Sequence, residues 1–326
     1  MRKIDVSGNH RKHRENIKEA GIIKIDEKRS IIGRFINEEV YHILNPEDIM
    51  ISTTGSDGRY ENKAHPGVRS NLELQIITRT DHDQEKVNEL IFRLKELVCK
   101  NIENIEHKRL GIDKISVYNN NSDLVFPTRF YDSVSFFDPS ELRSNALKRM
   151  SEEIITHGKL SSKMYDRFRV HKKTMETGID KFHSVSYEGF NINTGIIHYD
   201  PLKNLFGIKN GPLRYVQYLL AVALMRYIRD SKTHPSFIDT LPTHIFDRLD
   251  FINMNGLSTK NKSELAMLQS IYEFFLHVYH EMQYRHFSEG TTQFIIEDHD
   301  ILKEIQIMLT CLNQAYKIEQ FYPVKK

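Results

Sequence analysis

Between residues 31 and 48 apolar side chains recur at helical spacing (Ile32, Phe35, Ile36, Val40, Ile43, Leu44). Pro46 stops the run, because proline has no amide hydrogen and its ring clashes with the preceding turn. Residues 1–30 are polar and charged and read as a loose arm or a first helix. MISTTGSDGRYE (50–61) starts apolar and becomes turn-rich. The period then changes to two. Leu72, Leu74 and Ile76 alternate with Asn71, Glu73 and Gln75, which predicts a strand. Helical spacing returns with Val87, Leu90, Ile91, Leu94, Leu97 and Val98. IDKISVY (112–118) and DLVFPTRFY (123–131) predict two further strands, and Pro127 makes the second an edge or broken strand.

From about residue 139 the chain turns to long helical runs. The first carries an Asp138-Pro139-Ser140 cap signal, and the one at 211–230 has Pro212 near its first turn. Two more cover 262–285 and 300–321. Gly189, Gly195, Gly207 and Gly211 mark 187–211 as loop. The expected fold class is α+β. A small mixed-sheet α/β domain with an N-terminal helical arm (1–140) precedes an all-α helical domain (141–326).

Composition narrows the function classes. Among 326 residues, Lys+Arg is 46 and Asp+Glu is 44, a net charge of +2, which gives no strong nucleic-acid signal. The two cysteines, Cys99 and Cys311, are too few for a disulfide framework or a four-cysteine zinc site. The uncharged, mostly apolar run 215–225 ends at Arg226, well short of the roughly 20 residues that span a bilayer. The charged N-terminus lacks the apolar core of a secretory signal. These readings predict a soluble, cytoplasmic protein with no membrane partner.

Chemistry concentrates in Gly55-Ser56-Asp57-Gly58-Arg59, followed by Asn71-Leu72-Glu73. A Gly-Ser turn can cradle phosphate oxygens with backbone amides and a hydroxyl, and Arg59 can add a fork of donors. Residues 71 and 73 share one face of a strand, where acidic groups can hold divalent cations against a triphosphate. GSDGRYE followed by SNLEL resembles the signature of the polymerase-β-like nucleotidyltransferases, a GS turn and then a strand with Asp-x-Asp or Asp-x-Glu. The chain is similar in pattern to the nucleotidyltransferase and helical regions of bacterial nitrogen-regulatory uridylyltransferases and glutamine-synthetase adenylyltransferases. FPTRFYDSVSFFDPSELR, NLFGIKNGPLRYVQYLLAVAL and EFFLHVYHEMQYRH follow in the order of those families' later segments.

The resemblance implies Mg²⁺- or Mn²⁺-dependent transfer of a nucleoside monophosphate from a nucleoside triphosphate to a hydroxyl, with a protein as acceptor. It implies phosphate contacts from Gly55, Ser56, Arg59, Lys209 and Arg214, and a catalytic centre at Asn71, Glu73 and Asp113, with Glu73 and Asp113 on the metal. Asn71 departs from the pattern, since an amide brings no negative charge where the families keep an aspartate. Asp113, Asp57 or Glu61 would then substitute, or catalysis is lost. The alternative is therefore a nucleotide- or protein-binding regulator, a catalytically impaired pseudoenzyme on the same fold. A third reading is a helical interaction protein with a coincidental GS turn. Asp113 reads more readily as an exposed strand-end acid than as a ligand, while Lys209 and Arg214 read equally as a surface cap and Arg129 and Asp132 equally as a structural pair. His277, His280 and Glu281 lack the HExxH spacing and read as helix packing.

Overall fold

The structure, a computed structural model, describes residues 2–3, 10–61, 73–79, 84–101, 116–118, 131–157, 166, 169–170, 190–191, 194–199, 208–232, 240–254 and 262–314. In chain order its elements begin with β1 (Arg2–Lys3), α1 (His10–Phe35), α2 (Tyr41–Ile43), β2 (Ile49–Thr54) and α3 (Gly55–Gly58). Next come β3 (Glu73–Thr78), α4 (Gln84–Asn101), β4 (Ser116–Tyr118), β5 (Val134–Phe137) and α5 (Leu142–Thr156). β6 (Phe190–Asn191), β7 (Ile196–His198), α6 (Arg214–Ser231), α7 (Ile245–Met254), α8 (Lys262–Glu289), β8 (Gln293–Ile295) and α9 (His299–Gln314) complete the series. Helix and sheet are both present and helix predominates, a content compatible with the expected α+β class. The chain forms two compact units. One is Asn16–Lys163 with Met225–Arg248; the other is Met1–Glu15, Met164–Leu224 and Leu249–Lys326.

In the first unit the sheet order is β4-β3-β2-β5. β2 runs antiparallel to both neighbours, while β3 and β4 are parallel, with α4 lying between them in sequence. Ile49, Ile51, Leu74, Ile76, Val134 and Phe136 form a core with Ile25, Ile32 and Phe35 of α1 and Val87, Leu90, Ile91 and Leu94 of α4. These α4 residues are among those that the helical spacing predicts. Gln75 and Ile77, at the alternate positions of β3, are buried as well. The strand is thus enclosed at nearly every position, and α5 packs on β2 and β3. Asp138 caps α5, its carboxylate accepting from the amides of Leu142 (2.7 Å) and Arg143 (3.1 Å).

α1 starts at His10, inside the stretch that reads as arm or first helix. Only Ile17, Ile25, Ile32 and Phe35 give its buried side an apolar character, so the stripe is too sparse to mark the helix start from pattern alone. A π-helical turn, Ile36–Val40, ends it.

In the second unit the strand order is β1-β8-β7-β6, parallel between β1 and β8 and antiparallel elsewhere. Three of these strands lie within the stretch expected to be wholly helical, and the hairpin β6–β7 falls where glycines mark a loop. Strands of two or three residues contain too few positions to show a period. Residues 271–280 of α8 are all buried. Within that core Gln217 donates to the Tyr272 hydroxyl (2.7 Å), and Arg14 pairs with Glu273 (3.1 Å). His13 meets His277 edge-on with ring centroids 4.1 Å apart, which fits the packing reading of that histidine. No helix among the described residues is long and apolar enough to cross a membrane.

Candidate functional site

β2 delivers the chain from the sheet interior to Gly55, where the backbone turns with φ +69°, a left-handed conformation open to glycine at little cost. The single helical turn α3 follows. In the antiparallel register Glu73 stands opposite Thr54, the residue before that glycine. A Cβ at Gly55 would lie 2.8 Å from Glu73 Oε2. The carboxylate therefore rests against the bare Cα of the turn. Ser56 is half-buried beside it, and its carbonyl accepts from the Glu61 amide at 2.8 Å.

Beneath the turn lies a buried ionic network. Lys28 of α1 donates to Asp57 Oδ1 at 2.6 Å. Arg59 Nε donates to Glu61 (2.9 Å) and its Nη1 to Asp132 Oδ2 (2.7 Å). The other Asp132 oxygen accepts from Arg248 Nη1 at 2.9 Å. Arg248 also donates to the carbonyls of Pro242, Thr243 and Tyr131. Three cations thus face three anions, all with side chains at most 8% exposed. Burial pushes the Tyr131 phenol well above the ordinary tyrosine range.

The site residues predicted from sequence fall into four groups. Gly55, Ser56 and Glu73 converge on one turn. Arg59, expected as a phosphate fork, is 4% exposed and directs its donors at Glu61 and Asp132. Asn71, Asp113 and Arg129 lie outside the described residues. Lys209 and Arg214 belong to the second unit, just before and at the start of α6. Lys209 Nζ sits 5.8 Å from the Tyr279 ring centroid, and Arg214 reaches Gln217 at 3.3 Å.

Lys28 and Arg248 escape a sequence reading. They lie 29 and 116 positions from the acids they pair with, and nothing local marks them. Asp57 and Glu61, two of the acids able to replace a charge at Asn71, are both engaged in this network. Among the described residues no three His, Cys, Asp or Glu side chains are grouped so as to hold a metal ion. No protein-family model matches the chain, and no curated protein matches it.

Proposed function

We propose that the chain binds a nucleoside triphosphate at the Gly55–Ser56 turn and transfers its nucleoside monophosphate to a hydroxyl of a protein acceptor. The observation that carries this is the placement of the Glu73 carboxylate against the bare Cα of Gly55, at a sharp turn leaving a buried strand. A glycine there lets the backbone amides approach phosphate oxygens, and the Ser56 hydroxyl adds a donor. Mg²⁺ or Mn²⁺, when bound, would neutralise the triphosphate as the leaving group departs. Glu73 is the ligand the described residues offer it, one carboxylate where a two-metal site needs more. The resemblance expects Asp113 as a second ligand.

A second reading, a nucleotide-binding regulator without transfer, is favoured by the engagement of Asp57 and Glu61 in buried ion pairs.

Incubation with each labelled nucleoside triphosphate, Mg²⁺ or Mn²⁺ and a cell lysate separates the two. Transfer predicts a labelled protein, loss of label in Glu73→Ala and a gain in Asn71→Asp. Nucleotide binding without label in wild type and Asn71→Asp supports the regulator. Absence of both binding and label overturns both readings, and label that survives Glu73→Ala places the metal site elsewhere.

A further inference from the structure

α1 meets the Gly55 turn along one face. A Cβ at Gly21 would lie 2.3 Å from the Tyr60 carbonyl oxygen, so the helix backbone touches the end of the turn there. Seven residues on, Lys28 donates to Asp57 inside the turn. Lys24 stands between these contacts, three residues after Gly21 and four before Lys28, and those spacings place all three on one helix face. It is half-buried.

Lys24 lies among charges of both signs. From the turn it faces Asp57, whose Oδ1 already accepts from Lys28. From its own helix it faces Lys28 and Glu27, and Glu27 is exposed. Among the described residues the Lys24 side chain makes no ion pair or hydrogen bond, whereas Lys28 beside it is paired with Asp57. Burial first, and then Lys28, lower the Lys24 pKa below the ordinary lysine value. An anion brought to the turn would give this half-buried ammonium a partner.

We infer that Lys24 is a phosphate-binding residue of the Gly55 site, supplied by α1, whose partner is the polyphosphate of the nucleotide. This rests on the triphosphate-binding reading proposed above. A bound polyphosphate raises the Lys24 pKa from its lowered free value. Its contribution to affinity is then complete below the free-state pKa and disappears as pH rises through the bound-state pKa.

The test measures binding of inorganic tripolyphosphate and of ATP, GTP, CTP and UTP, each with Mg²⁺, to the full chain from neutral to alkaline pH. Lys24→Met should weaken tripolyphosphate binding about tenfold, the scale of a lost charge-assisted hydrogen bond. Lys24→Arg should keep the affinity and flatten its alkaline fall, because a guanidinium stays charged there. In the wild type, tripolyphosphate should protect Lys24 from an amine-reactive reagent, read by mass spectrometry, which does not depend on any variant folding. Wild-type binding with unprotected Lys24, or with an unchanged affinity in Lys24→Met, overturns the role of Lys24 alone. A wild type that binds neither tripolyphosphate nor any of the four nucleotides overturns this role and the triphosphate reading together.

Discussion

Gln75 is fully enclosed on β3, and neither its carboxamide nitrogen nor its oxygen has a hydrogen-bond partner among the described residues. A buried polar group left unsatisfied costs about 1–3 kcal/mol. Gln75→Met, similar in volume, should therefore stabilise the fold by about 1 kcal/mol, seen as a higher urea midpoint. A lower midpoint would mean that the amide holds a buried group of its own. Asp132 presents the opposite case, one carboxylate between two guanidinium groups. Asp132→Asn leaves Arg59 and Arg248 buried with a neutral partner and should cost about 3–5 kcal/mol in the same measurement. Residue-level legibility follows from this difference. The GSDGR string locates the turn because Gly55 acts through its own backbone. The role of Arg59 could not be read there, because its partner Asp132 is 73 positions away.

Elements are legible where their determinants are local and long enough to repeat. The α4 stripe and the α5 cap signal both appear in the structure, the cap as two amide hydrogen bonds to Asp138. Removing that cap with Asp138→Ala should cost about 1 kcal/mol in thermal or chemical unfolding. An unchanged midpoint would show that the flanking turn satisfies the Leu142 and Arg143 amides without the carboxylate. β6, β7 and β8 could not be read, because each has only two or three residues and the sheet they share joins positions about a hundred residues apart. The start of α1 is hidden for a different reason. Much of its buried side is occupied by Gly21, Lys24 and Lys28, which a hydrophobic pattern counts as surface.

For the whole molecule, the shift from period two to period 3.6 was enough to indicate a mixed α+β chain. It could not indicate that Met225–Arg248 joins Asn16–Lys163 in one compact unit, because that follows from packing between distant segments. The same distance gives the Arg59–Asp132–Arg248 clamp a place in time. Its arms close loops of 73 and 116 residues, and the chain entropy of closing them is lost before either ion pair forms. Interactions of that range that are absent from the folding transition state govern how long the native state lasts rather than how fast it is reached. In stopped-flow refolding and unfolding, Asp132→Asn should speed unfolding by at least about a hundredfold and change the refolding rate by less than about twofold. A refolding limb that slows by the same factor would place the clamp in the folding nucleus. A clamp that forms late would act as a latch on escape from the native state, and the lifetime of the intact turn at Gly55 would then be set by a carboxylate far from it in sequence.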